Sequence, residues 1–217
     1  NQSQVDRAAS DTVSQRHPPL AFPVVGIGAS AGGLKALERF FQHLPAASGM
    51  AFIIVQHLAP DYKSELVMLL QRHTAMTVAQ ISDGMPIQPN AVYVIPPNKV
   101  LTIEDGHLCL KQRHRQARQH GPIDIFFLSL AADQGDRAVA IVLSGTGSDG
   151  ANGIKAIKEQ SGITMAQTPE DAQYDGMPGS AIATNCIDLV GTAEELAGRL
   201  VNAVGRNRAA WHAIILS

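Results

Sequence analysis

Apolar residues along this chain alternate between two patterns. Unbroken runs rich in Val and Ile occur at 24–27, 51–55, 91–95, 138–143, 163–166 and 187–190. Their length and composition suit strands buried on both faces of a sheet. Between the runs, apolar positions recur at helical spacing. Leu34, Leu37, Phe40, Phe41 and Leu44 share one helix face, as do Leu66, Val67, Leu69 and Leu70 within 64–73. Ile123, Phe126, Phe127 and Leu130 mark a helix over 123–132, and stretches 153–160 and 193–204 complete the set. Strand and helix in alternation predict an α/β fold, a mostly parallel, doubly wound sheet flanked by helices.

One stretch departs from the pattern. From 84 to 111 the signals read strand, Pro96-Pro97 turn, strand, Asp105-Gly106 turn, strand. Asp-Gly between two apolar segments is a hairpin signal. An antiparallel hairpin addition is therefore expected at one edge of the sheet.

With 217 residues, 45% apolar and 17% charged, the chain reads as one globular domain over 20–205. A polar, flexible leader is expected over 1–19, without the apolar core of a signal peptide. Residues 206–217 read as a tail, a truncated helix end. A net charge of −2 argues against nucleic acid as a partner of the whole surface. No apolar run reaches membrane-spanning length, so direct membrane insertion is not expected. Cys109 and Cys186 lack metal-ligand spacing and read as reduced core residues of a cytoplasmic protein. There is no H-E-x-x-H and no histidine pair at ligand spacing, so no metal site is expected.

The first strand runs into Gly26-Ile27-Gly28-Ala29-Ser30-Ala31-Gly32-Gly33, followed by a helix. Gly28-Ala29-Ser30-Ala31-Gly32 is a G-x-S-x-G on a strand-turn-helix, a context that exposes a serine hydroxyl at the carboxyl end of a sheet. A serine nucleophile needs a base, and the base needs an orienting group. His57 follows the second strand, and Asp149 lies in Ser144-Gly145-Thr146-Gly147-Ser148-Asp149-Gly150 after the 138–143 run. Strand carboxyl ends are where open α/β sheets bind ligands. Taken singly, His57 also reads as a loop histidine and Asp149 as a helix N-cap. The N–H after Ser30, with one from the glycine loop, would form an oxyanion hole.

Rival readings exist. Gly26, Gly28 and Ala31 also spell the dinucleotide fingerprint G-x-G-x-x-A, but Gln56-His57 stands where a ribose-binding acid belongs. A phosphate loop at 145–150 fails because Ala151-Asn152 replaces Lys-Ser/Thr. The order Ser, His, Asp is not that of a typical α/β-hydrolase. The basic stretch 111–120 reads either as a solvated loop or as a patch that steers an acidic protein. A non-catalytic binding domain of the same fold also remains open.

The motifs together resemble the bacterial chemotaxis methylesterase (CheB-type) catalytic domain. The resemblance rests on 22–33, Val55-Gln56-His57-Leu58, Asp83-Gly84, Ala91-Val92-Tyr93-Val94-Ile95-Pro96-Pro97, Leu143 to Gly150, Ala166-Gln167 and Gly176-Met177-Pro178, in the family's order over 22–204. It implies hydrolysis of glutamate γ-methyl esters on the cytoplasmic helices of chemoreceptors, with release of methanol and, in some members, deamidation of receptor glutamines. It implies a triad of Ser30, His57 and Asp149, oxyanion donors from the main-chain N–H of Ala31 and Thr146, and no cofactor. The implied partners are a methylated chemoreceptor and, on a longer parent chain, a regulatory receiver domain or a methyltransferase domain. Gly147 and Met177 are expected to line the cleft, although Gly176-Met177-Pro178 equally reads as a tight turn that opens a helix. The chain departs from the family at Ala31, where Thr is common, at Ser148, where Asn is common, and in the glutamine-rich loop before Ile123. Backbone donors tolerate the first two changes; the third bears on substrate choice.

Overall fold

The computed structural model describes the backbone of residues 18–56, 65–112 and 120–215, and the side chains of 18–56, 66–112 and 120–205. The elements in chain order are β1 (Val24–Ala29), α1 (Gly33–Gln42), β2 (Ala51–Gln56), α2 (Glu65–Gln71), β3 (Thr77–Gln80), β4 (Met85–Pro86), β5 (Ala91–Val94), β6 (Lys99–Glu104), β7 (His107–Gln112), α3 (Pro122–Gln134), β8 (Ala138–Val142), α4 (Ala151–Glu159), β9 (Ile163–Gln167), α5 (Gly176–Ile182), β10 (Leu189–Gly191) and α6 (Ala193–Ile215). Seven strands form one sheet in the order β10-β9-β8-β1-β2-β5-β3, and all its pairings are parallel.

Two apolar cores sandwich this sheet, because alternate side chains of a strand point to opposite faces. Val25, Ile27 and Ala29 of β1 face Leu37, Phe40 and Phe41 of α1 and Leu196 and Leu200 of α6. On the other face lie Ile123, Phe126 and Phe127 of α3, with Ile154 and Ile157 of α4. Here β1 has no side chains to offer at Gly26 and Gly28. A Cβ at Gly26 would sit 2.8 Å from Phe126 Cε1, and one at Gly28 2.5 Å from Ile123 Cγ2. Both glycines therefore exist to let α3 lie against the strand.

The hairpin forms as expected, with Asp105 (φ 50°) and Gly106 (φ 72°) in left-handed conformations that suit a tight two-residue turn. With β4 it makes a separate three-stranded antiparallel sheet, β4-β7-β6. That sheet docks on α3, where the Ser129 hydroxyl accepts the N–H of Ile103 at 3.1 Å. Strand β3 was not apparent in the hydrophobic pattern. It is an edge strand, and Val78 is its one buried residue.

Candidate active site

Strand β1 sits mid-sheet, and its crossover leads to β2 on one side, whereas that of β8 leads to β9 on the other. The carboxyl ends of β1 and β8 thus flank a topological switch point, where a crevice opens. Ser30 is the first residue beyond β1, and the loop 144–150 follows β8. The parallel ladder continues past both strands: Leu143 N–H donates to Gly28 O at 2.9 Å and Ser30 N–H to Ser144 O at 3.0 Å.

Three segments are knitted together at this rim. The Ser144 hydroxyl donates to Ala31 O at 2.9 Å and accepts Tyr174 N–H at 3.0 Å. Gly145 N–H donates to Tyr174 O at 2.9 Å, and Met177 N–H donates to Gly145 O at 2.8 Å. Gly32 must be glycine twice over: its φ is +73°, and a Cβ would lie 2.7 Å from Ser144 Oγ. Gly145 has no room either, since a Cβ would overlap Met177 Sδ and stand 2.9 Å from Ser30 Cβ. Met177 is buried beneath the loop, whereas Thr146 and Gly147 are exposed at its crest. The turn at 176–178 opens α5, and the residue it carries packs against Gly145.

Behind the rim stands Gln167, 1% exposed. Its Oε1 accepts Ser144 N–H at 2.9 Å, and its Nε2 donates to Asp171 Oδ2 at 2.8 Å. Asp171 Oδ1 accepts from Arg39 Nη2 at 2.7 Å, and Arg39 also grips Glu194 in a two-pronged pair. The bond to Glu194, and with it those to Asp171, raise the Arg39 guanidinium above its usual range, against its partial burial. Burial alone would push the Asp171 carboxyl up; hydrogen bonds from Gln167 and Arg39 outweigh it and hold the group below its usual range. Ser144 and Gln167 stand in the quoted motifs without a role of their own, and Asp171 in none, because a polar residue at or beyond a strand end carries no periodic signal.

Asp149 accepts two main-chain bonds from the first turn of α3, Ile123 N–H at 3.1 Å and Asp124 N–H at 2.9 Å. The N-cap reading therefore holds, but for a helix remote in sequence rather than for α4. Its half-buried carboxylate closes on Gly121, where any Cβ would overlap it. A carboxylate has about four acceptor positions, so these bonds are compatible with a further one to an imidazole. Asp124, 4% exposed, returns the contact: its Oδ1 accepts Gly153 N–H at 2.8 Å and its Oδ2 accepts Asn152 Nδ2 at 3.2 Å.

Neither the Ala31 nor the Thr146 N–H donates a hydrogen bond among the described residues. α1 and α4 begin just beyond these loops with no acidic residue in their first turns. Their positive ends suit developing negative charge. His57 lies outside the described residues, as does most of the basic stretch, 113–119. Gln56, the last residue of β2, pairs in register with Ala29, and its Nε2 lies 3.4 Å from Ser30 O. Among the described residues no cluster of His, Cys, Asp and Glu could hold a metal ion. None of their helices is long and apolar enough to cross a membrane.

A serine on a strand-to-helix turn, at the switch point of a doubly wound parallel sheet, defines the architecture. A comparison with known families matches CheB methylesterase over residues 25–200. The chain belongs to the CheB methylesterase family. It is 35% identical over 182 residues to the protein-glutamate methylesterase/protein-glutamine glutaminase 1 of Xanthomonas campestris, covering 82% of this chain and 51% of that protein. An uncharacterized 104.1 kDa protein of Rhodobacter capsulatus is 50% identical over 120 residues, 55% of this chain and 12% of that one. The crystal structure of the Thermotoga maritima CheB methylesterase catalytic domain superposes with a TM-score of 0.77 at 26% identity, covering 85% of this chain and 100% of that one. The chain spans about half the length of the methylesterases of Xanthomonas campestris and Methanosarcina acetivorans, 51% and 53%. The dinucleotide reading is not favoured, and its glycines have another use: Gly26 and Gly28 accommodate α3.

Proposed function

We propose that this chain is a serine hydrolase that cleaves glutamate γ-methyl esters on the cytoplasmic helices of a chemoreceptor and releases methanol, with glutamine deamidation as a second use of the same site. The observation that carries this reading is the ladder bond from Ser30 N–H to Ser144 O. It holds the serine turn against the loop that bears Thr146 and Asp149, in a chain of the CheB methylesterase family.

Ser30 Oγ attacks the ester carbonyl as His57 Nε2 takes its proton. Asp149 orients His57 through Nδ1–H and balances the imidazolium charge. The tetrahedral oxyanion is held by the N–H groups of Ala31 and Thr146; such a donor contributes about 3 kcal/mol of barrier lowering. Collapse breaks the C–O bond, and methoxide leaves as methanol with the proton from His57. Water, deprotonated by His57, then attacks the acyl-serine and frees the glutamate side chain. No cofactor enters these steps. The site works at the cytoplasmic side, where the receptor helices lie, and the basic stretch 111–120 steers their acidic surface. The domain spans 20–205, between a leader over 1–19 and a helical tail over 206–217. A receiver or methyltransferase domain on a longer parent chain regulates it, a reading supported by the greater length of the Rhodobacter capsulatus and Xanthomonas campestris relatives.

Receptor membranes carrying labelled methyl groups test this. The wild-type chain is expected to release volatile methanol and Ser30→Ala to release none while keeping its fold. Near-normal release by Ser30→Ala would overturn the proposal.

A further inference from the structure

Asp124 has a buried carboxylate with no place in the chemistry just described. Burying a charge is costly unless it is hydrogen-bonded, so a carboxylate at 4% exposure calls for a reason. Its bonds go to one place, the start of α4: Gly153 N–H at 2.8 Å and the Asn152 amide at 3.2 Å. The reverse bonds leave from the loop that opens α4, with Asp149 accepting the N–H groups of Ile123 and Asp124 itself. The first turn of α4 is thus capped by a carboxylate of α3, and that of α3 by a carboxylate of the loop that enters α4. Asp124 belongs to both halves, because its main chain holds the Asp149 carboxylate and its side chain holds the turn that carries Asp149.

We propose that Asp124 is a positioning residue that sets the Asp149 carboxylate by clamping the first turn of α4 to that of α3. The proposal rests on the esterase reading above. The junction has little slack to absorb a loss. A Cβ at Gly121 would overlap the Asp149 carboxylate, and one at Gly153 would overlap Phe127 Cβ. Side chains of one helix end already fill the space above the glycines of the other, so a released α4 turn moves away and takes Asp149 with it. Helix capping alone would be met by an exposed Ser or Asp on each helix. A buried reciprocal pair additionally fixes where the two turns stand.

The test uses the full 217-residue chain and two readouts, methanol release and the rate at which a fluorophosphonate labels Ser30, both per folded molecule. Asp124→Ala is expected to lower kcat and the labelling rate about 10- to 100-fold with KM changed less than about twofold, the penalty of a misplaced catalytic group. Asp124→Asn, which still accepts Gly153 N–H, is expected to recover most of this loss. In an Asp149→Asn background the Asp124→Ala change should have no further effect, as required if it acts through Asp149. A folded Asp124→Ala with wild-type labelling, or an equal loss in both backgrounds, overturns the proposal. If Asp124→Ala does not fold, the exposed Asn152→Ala decides: about threefold slower labelling in the wild-type background and none in Asp149→Asn supports the clamp, and any other pattern overturns it. Wild-type protein that labels at Ser30 but releases no methanol would defeat the ester substrate and leave the labelling comparison valid; protein that does not label defeats both.

Discussion

Ser30 and Ser144 hold each other through the main chain and at one remove: Ser30 N–H donates to Ser144 O at 3.0 Å, and the Ser144 hydroxyl donates to Ala31 O at 2.9 Å. The serine turn and the β8 loop are therefore one unit, and the position of Ser30 depends on a residue more than a hundred places away. A Cβ at the next residue, Gly145, would overlap Met177 Sδ and stand 2.9 Å from Ser30 Cβ. Gly145→Ala is expected to keep the far-ultraviolet circular dichroism spectrum and lose about 100-fold in kcat, since displacements of about 1 Å carry such penalties. Unchanged methanol release in that variant would show that the β8 loop does not place the serine.

Gln167 links this unit to the body of the protein. Gln167→Leu removes the acceptor of the Ser144 N–H and the donor to Asp171 while filling similar volume. A buried donor left unmade costs about 1–3 kcal/mol, and urea denaturation should show a loss of that size. Gln167→Glu keeps the acceptor but faces the Asp171 carboxylate with a second one, so its loss should shrink as acid neutralises the pair.

Acid should weaken the link on the far side of Gln167. Glu194, held by Arg39, and Asp171, held by Gln167 and Arg39 against its burial, both have carboxyls below their usual ranges. A depressed folded-state value means the unfolded chain binds protons first, so these groups stabilise the fold above the ordinary carboxylate range of about 4. That stabilisation disappears as pH falls through the folded-state values. Chemical denaturation between neutrality and strongly acid pH should show a descending acid limb, shallower in Arg39→Ala. Identical limbs in the two proteins would remove the Arg39 network from the account.

The glycines of β1 give a packing prediction. Gly28→Ala places a methyl 2.5 Å from Ile123 Cγ2, at the helix turn that holds Asp149. Overfilling of this kind costs about 1–3 kcal/mol. Ile123→Ala alone should destabilise through its cavity, and the double variant should recover part of the loss. Strict additivity in a thermal-denaturation cycle would show that Gly28 serves something other than α3.

Much of the fold is legible in the sequence. Parallel strands buried on both faces write themselves as Val and Ile runs, so β1, β2, β5, β8 and β9 match predicted runs to within a residue or two. The 187–190 run starts two residues before β10, because Ile187 packs against the core without joining the ladder. α1 and α3 were visible from Phe40, Phe41, Phe126 and Phe127, whose spacing leaves one face apolar. The placement of Ser30 beside loop 144–150 followed from strand-end logic, which needs only the element order. The cross-caps were not readable. Asp124 has the sequence context of an ordinary acidic residue in a helix first turn, and Asp149 that of a cap for its own helix. Their exchange depends on how closely the starts of α3 and α4 approach, which Gly121, Gly150 and Gly153 permit and no periodicity encodes. The role of Gln167, though its motif is quoted, is not readable for a similar reason, since Ser144 reaches it only once β8 and β9 pair.

Site-mapped titration tests the central claim most directly. A serine-directed fluorophosphonate is added in substoichiometric steps, with methanol release and the peptide map followed at each step. The account predicts one phosphonyl group per chain, on the peptide bearing Ser30, and methanol release that falls in proportion to it. Label on any other residue, or full methanol release from a chain fully modified at Ser30, would contradict it.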